Sequence, residues 1–312
     1  VSPSEDPLEG ADPAGAASDG AAPDVLLHPL LEELRGISGL SARADEPLRR
    51  HTALRVGGPA DLYAVAHTLD ALRGALSVAR RHRLPWRALW PQQPVLIREG
   101  GLPGLTLRLA GAHEQLLPLD GGQVRLGAAA PFAALAALGP AWAPVAGWAG
   151  TPGGLFAAGH AGWLAGVLVQ VQILKGRSVI DLEVPPGGPP PELGPKELLL
   201  SVTLAPGKPS PSRKWRRRPP TAAEALADPP QAACPAGVPV EFERAGLPGT
   251  RLRAWRLSPH RPGEVEHLGG GTADDLLLLL QGVADRLSRA RGLQVEPAWT
   301  PIGRPPPPTR QP

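Results

Sequence analysis

The chain has 312 residues, enough for two or three domains and a sizeable core. Its 32 Lys and Arg against 29 Asp and Glu leave a net charge of +3, too even to point to a polyanionic partner. A single cysteine, Cys234, excludes an internal disulfide and a cysteine-rich metal site and fits a reducing cytoplasm; the eight histidines have no H-x-x-x-H spacing beside carboxylates, so no metal is expected.

Residues 1–24 are rich in Pro, Ala, Gly, Asp and Ser and lack the basic and apolar regions of a signal peptide, which predicts a disordered tail. Residues 25–34 have helical spacing through Leu27, Leu30, Leu31 and Leu34, stopping at Gly36. A clearer helix is predicted over 69–83. Thr68 can cap it, Leu69, Leu72 and Leu76 share a face, and Arg80, Arg81 and Arg83 suit its C-terminal dipole. Residues 104–109 and 123–126 read as short strands. From Leu126 to Leu174 there is no charged residue except histidine. Pro131, Pro140, Pro144 and Pro152 interrupt every window of the roughly 20 apolar residues that a membrane span needs, so a buried, ligand-facing core is expected and no membrane. Residues 167–182 alternate as a hairpin with a turn near Lys175-Gly176, and 197–204 is a further strand.

Two proline-rich connections follow, 185–195 and 206–220. The second carries Arg213, Lys214, Arg216, Arg217 and Arg218, and a domain boundary belongs there. With Trp215 this cluster has the composition of a nucleic-acid contact, but no recognition module accompanies it, and a solvated linker is the simpler reading. A helix is predicted over 273–291, capped by Thr272 with Asp274 and Asp275 at its positive end, and with Leu276 to Leu280 as a fully packed face. Residues 305–312 read as a tail.

The densest chemical signal is Gly147-Trp148-Ala149-Gly150-Thr151-Pro152-Gly153-Gly154. A G-x-x-G-T-x-G-G run has too many glycines for an ordinary helix or strand. Glycine lets backbone approach a ligand closely and adopt positive φ, so the run reads as a cradle for a large flat or phosphorylated ligand. The plainer alternative is a structural loop. Gly57-Gly58 has the same two readings, a turn or part of a ligand site, while His160 reads as a packed histidine.

These residues fall into an order. Thr52-Ala53-Leu54-Arg55-Val56-Gly57-Gly58-Pro59-Ala60-Asp61 comes first, then Glu99-Gly100-Gly101-Leu102-Pro103-Gly104, then the Gly147–Gly154 run. Ala245-Gly246-Leu247-Pro248-Gly249, Thr272-Ala273-Asp274-Asp275, and Gly292-Leu293-Gln294-Val295-Glu296-Pro297 with Ile302-Gly303 follow. Together, over residues 47–303, they resemble the UDP-N-acetylenolpyruvoylglucosamine reductases of peptidoglycan precursor synthesis. The resemblance implies an α+β chain: an FAD-binding fold of the vanillyl-alcohol-oxidase type in two subdomains (25–108 and 109–206), a basic proline-rich linker (207–220), and a C-terminal α+β substrate-type domain (221–304). It implies FAD as cofactor, held by Arg55, Gly57, Gly58, Gly147, Gly150, Thr151, Gly153 and Gly154 if it binds, and NADPH as reductant of an active enzyme.

The departures from the family pattern are as telling. The family's G-G-G-S-N loop holds the flavin pyrophosphate through backbone N–H groups; an ungapped alignment puts Trp90-Pro91-Gln92-Gln93-Pro94 there. Two prolines remove two donors and Trp90 adds bulk. At about 1.5–3 kcal/mol for each charge-assisted hydrogen bond, FAD affinity is expected to fall by orders of magnitude. The family's proton donor aligns with Glu224, which is ionised at neutral pH at its ordinary pKa, and the family's catalytic glutamate aligns with Ala298. No tyrosine-arginine motif lies in 185–195, and further on Arg261 and Glu264-Val265-Glu266-His267 replace the family's histidine and F-x-x-N segment. The expectation is a catalytically impaired relative that binds a nucleotide sugar or a peptidoglycan-pathway protein. The rivals are an active reductase using Glu224 as acid, and a nucleic-acid binder using the basic linker.

Overall fold

The computed structural model describes residues 24–52, 54–91, 93, 95–207, 231–233, 243–260, 264–292 and 301–306. The expected tail at 1–24 (except Asp24), the linker cluster, Glu224, Cys234, Arg261 and Ala298 lie outside these residues.

Helix α1 (Asp24–Arg35) buries Leu30, Leu31 and Leu34 on the first sheet's core. That sheet has strand order β1-β2-β5-β3, from β1 (Leu40–Pro47), β2 (Pro59–Ala66), β3 (Trp86–Ala88) and β5 (Leu102–Leu109); the two-residue β4 (Leu96–Ile97) lies outside it. β1 runs antiparallel to β2, while β2, β5 and β3 are mutually parallel. Parallel neighbours need a crossover, and α2 (Leu69–Arg81) supplies it. Thr68 caps α2 by accepting from Ala71 N at 3.1 Å. Ala71, Leu72, Ala75, Val78 and Ala79 form its buried face. The helix stops at 81, short of the expected 83, because Arg83 takes a left-handed turn (φ 53°) into β3.

The second sheet is wholly antiparallel, with order β6-β7-β10-β8-β9: β6 (Leu116–Pro118), β7 (Val124–Gly127), β8 (Leu168–Lys175), β9 (Ser178–Glu183) and β10 (Glu197–Leu204). Between β7 and β8 runs the charge-free stretch. It winds through 3-10 turns, α3 (Ala143–Ala146) and α4 (Pro152–Ala157). Phe132, Trp142, Trp148 and Trp163 are all buried in it, and Trp148 meets Phe132 and Trp163 edge-to-face at 5.7 and 6.3 Å. One continuous apolar core runs from α1 and α2 into this sheet.

The third sheet, order β11-β14-β13-β12, joins β11 (Gln231–Ala233), β12 (Arg251–Leu252), β13 (Trp255–Leu257) and β14 (Glu264–His267). Helix α5 (Ala273–Arg291) packs with it. Thr272 and Asp275 form a reciprocal capping box, and Gly292 closes the helix in the left-handed region. Leu276, Leu279, Leu280, Val283 and Leu287 are buried with Trp255, Leu257 and Val265. The leucine run is not packed all round, since helical periodicity turns Leu278 outward at 59% exposure. Replacing Thr272 with alanine removes the cap's hydroxyl acceptor and is expected to cost about 1 kcal/mol; a chemical-denaturation midpoint equal to the parent's would contradict the capping assignment.

Two joints tie the third sheet's region to the first. Leu54, Val56 and Leu96 sit in the α5 core. Glu99 accepts from Ala273 N at 2.6 Å, and Arg98 pairs with Asp274 at 3.0 Å. The chain then returns as β15 (Pro301–Ile302), pairing parallel with β4, and Arg304 pairs with the buried Asp61 of β2. Among the described residues no helix is long and apolar enough to cross a membrane.

Candidate functional site

The glycine run is partly a helix. Thr151 is the N-cap of α4, its hydroxyl accepting from Gly154 N at 3.1 Å, and Pro152 occupies the first turn, where a missing N–H costs nothing. Gly153 and Gly154 therefore lie in the first turn of α4 and not in an open loop, correcting the reading from glycine content. Gly150 alone of the run has positive φ (88°), and an added Cβ there would meet nothing within 4 Å. Gly147 sits at the end of α3 with ordinary contacts.

Gly153 is where the run meets the loop after β3. A Cβ added to Gly153 would overlap the indole of Trp90, and one added to Gly154 would stand 3.6 Å from the Trp90 Cβ and 3.7 Å from the Pro91 carbonyl oxygen. Trp90 is only 4% exposed. Its six-membered ring lies directly on the glycine backbone.

The N–H groups of residues 90, 93, 95, 153 and 154, on both sides of that contact, have partners within the chain. Trp90 N donates to Gln93 Oε1, Gln93 N to the Trp90 carbonyl, and Val95 N to the Gln93 carbonyl. Pro91 has no N–H, and Gln92 and Pro94 lie outside the described residues. On the other side Gly153 N donates to the Ala128 carbonyl at 2.8 Å and Gly154 N to Thr151.

Gly57 and Gly58 sit elsewhere. Gly57 has φ 117°, and a Cβ on it would stand 2.8 Å from Ile97 Cβ. A Cβ on Gly58 would run into the Glu99 carbonyl and lie 2.7 Å from Gly101 N. Both glycines serve chain-to-chain packing against residues 97–101. Arg55 is exposed, with φ 54°.

A cavity of about 210 Å³ opens beside Trp90. Trp90, Pro91 and Leu89 form its apolar wall; Arg50, His51, Thr52, Tyr63 and Arg108 form its polar wall. Strand alternation places Tyr63 and Arg108 on the face of the first sheet opposite to Leu62, Leu105 and Leu107. Tyr63 stacks on His51 with ring centroids 4.6 Å apart, and its hydroxyl is 3.3 Å from His51 Nδ1. His51 Nε2 lies 2.9 Å from Oε1 of the buried Glu46. Burial raises the Tyr63 hydroxyl above its ordinary pKa, with the Arg108 guanidinium pulling the other way.

Charge burial gives these groups a pH signature. The bond from His51 holds the Glu46 carboxyl below 4.5. Its stabilisation is therefore complete above the unfolded value and is lost as pH falls through the lower folded value. His113 and His267 are each held below 6.5, chiefly by burial, whereas His160 is exposed and not the packed histidine expected from the sequence. The folded chain binds those protons more weakly than the unfolded chain, so stability starts to decline as pH drops below about 6.5. Denaturation midpoints taken across this range check it: a flat profile until the carboxylates titrate would contradict the histidine assignment.

Among the described residues no group of three or more His, Cys, Asp or Glu is placed to hold a metal. No family model matches the chain. Relatives and a solved structure do. The UDP-N-acetylenolpyruvoylglucosamine reductase of Rubrobacter xylanophilus is 30% identical over 295 residues, covering 85% of this chain and 96% of the relative. That of Geobacter sulfurreducens is 28% identical over 303 residues, covering 88% and 96%. The crystal structure of the Thermus caldophilus UDP-N-acetylenolpyruvylglucosamine reductase superposes with a TM-score of 0.58 at 20% identity, over 85% of this chain and 99% of that one. The α+β FAD-binding-type fold expected from the sequence is thus the one observed, and with near-complete coverage of the relatives the chain belongs to the UDP-N-acetylenolpyruvoylglucosamine reductase family.

Proposed function

We propose that this chain is a family member that acts by binding and not by reducing. The observation that carries the reading is Trp90 on Gly153. By the family resemblance, the loop at 90–94 and the run at 147–154 are the two faces that hold the flavin. Here they press on each other, with a buried indole between them. A pyrophosphate needs free N–H donors, and those of residues 90, 93, 95, 153 and 154 are already bonded within the chain. The residues present do not fit FAD in the family's manner, so no hydride step is drawn through it. Glu224 and Ala298 in place of the family's proton donor and glutamate support the same reading from the sequence.

The chain's binding partner is a nucleotide sugar or a protein of the same pathway. The test is NADPH oxidation by the full chain with excess FAD and the enolpyruvyl sugar nucleotide. No oxidation above the protein-free rate is expected. Substrate-dependent oxidation with turnover would return the chain to the reductases, with Glu224 as the acid to mutate next.

A further inference from the structure

We propose that the cavity beside Trp90 binds a small phosphate monoester, of the size of a sugar phosphate. This rests on the reading above that the chain acts by binding. The cavity's volume, about 210 Å³, is far above the roughly 10–15 Å³ that one water needs and below the roughly 300–1,000 Å³ of sites for larger ligands. It suits one phosphorylated ring and excludes a dinucleotide.

Its charge selects the ligand. Arg50 and Arg108 are lining residues, and no carboxylate is among them. Two guanidiniums favour a dianion, and a phosphate monoester carries close to two negative charges at neutral pH where a carboxylate carries one. Arg108 Nε is buried with no hydrogen-bond partner in the protein, so no protein acceptor neutralises that edge of the guanidinium. Tyr63 stays protonated, and its hydroxyl lies between His51 Nδ1 and the Arg108 guanidinium, where it helps to hold Arg108 in the lining. Glu46 does not compete for the anion, since His51 at 2.9 Å and Arg43 at 3.5 Å already engage it. Trp90 and Pro91 in the lining offer apolar surface for the ester's carbon skeleton.

Titration calorimetry on the full chain at fixed ionic strength tests this with three probes: ribose 5-phosphate, inorganic phosphate and ribose. Ribose 5-phosphate is expected to bind most tightly, inorganic phosphate more weakly, and ribose not at all. Arg108→Gln should weaken ribose 5-phosphate binding about 10- to 100-fold, and the isosteric Tyr63→Phe roughly fivefold. Arg177→Gln, in the β8–β9 turn, removes the same charge far from the cavity and should change nothing. Melting curves verify that each variant folds. The proposal is overturned if neither phosphate binds, if both bind equally, or if Arg108→Gln and Tyr63→Phe bind like the parent. A flavin spectrum on the same sample separates the two claims. Yellow protein that also binds ribose 5-phosphate would sink the non-reducing reading and leave this one standing, whereas colourless protein that binds no phosphate would do the reverse.

Discussion

Replacing Trp90 with alanine is expected to destabilise the chain by about 3–5 kcal/mol, the range for deleting a large buried aromatic. Trp90 is 4% exposed and belongs to the apolar core that runs from the first sheet into the second. Were the loop at 90–94 a ligand cradle, its side chain would be dispensable for stability. The cost should appear as a lower denaturant midpoint, and partial loss of cooperativity between the two sheets as a shallower transition. The reverse change, Gly153→Ala, pushes a Cβ into the indole and should cost about 1–3 kcal/mol. In the Trp90→Ala background the obstacle is gone, and alanine is favoured over glycine in a helix by up to about 1 kcal/mol. The two changes are therefore expected to couple by more than 1 kcal/mol. Additive effects would mean that the indole does not rest on Gly153.

The second large effect separates structural glycines from cradle glycines. Gly58→Ala drives a Cβ into the Glu99 carbonyl, with Gly101 N only 2.7 Å away. These are backbone atoms held by Gly58 N to the Arg98 carbonyl and by Arg98 N to the Ile302 carbonyl. The chain cannot yield cheaply, and a loss on the order of 3 kcal/mol is expected. Gly150→Ala has open space around it and carries only the left-handed backbone penalty of about 1–2 kcal/mol. Comparable losses at both positions, or a larger one at Gly150, would contradict the assignment of Gly57-Gly58 to packing.

Elements whose pattern is local were legible in the sequence. The strand at 197–204 and the helix at 273–291 come out at the bounds expected, and the hairpin turns at Gly176-Arg177, within a residue of the expected Lys175-Gly176. Caps and period-two alternation are properties of neighbouring residues, so one sequence suffices to read them. β2 was missed because a central strand buried on both faces reads as a plain apolar run, Leu62-Tyr63-Ala64-Val65-Ala66, with no alternation to mark it.

The site was legible in halves. Aligning the 90–94 segment predicted bulk and missing donors there, but nothing local says that Trp90 lands on Gly153, because that contact is made only when the two sheets share a core. Alternation in Leu105-Thr106-Leu107-Arg108-Leu109 did carry a signal that went unread. It sets Arg108 on the face away from the leucines, where Tyr63 from β2 and Arg50 and His51 from the preceding turn join it. The positions of Gly57 and Gly58 were ambiguous for the opposite reason: a glycine needed for a ligand and one needed for a neighbouring carbonyl look alike in sequence.

The most direct measurement is the visible absorption spectrum of the purified chain, taken before and after incubation with excess FAD and removal of free ligand. With Trp90 seated on Gly153 and the N–H groups of residues 90, 93, 95, 153 and 154 bonded internally, the folded protein is expected to stay colourless in both. A flavin spectrum that survives removal of free FAD would contradict the account, because the cradle would then have to open around an indole that the fold holds shut.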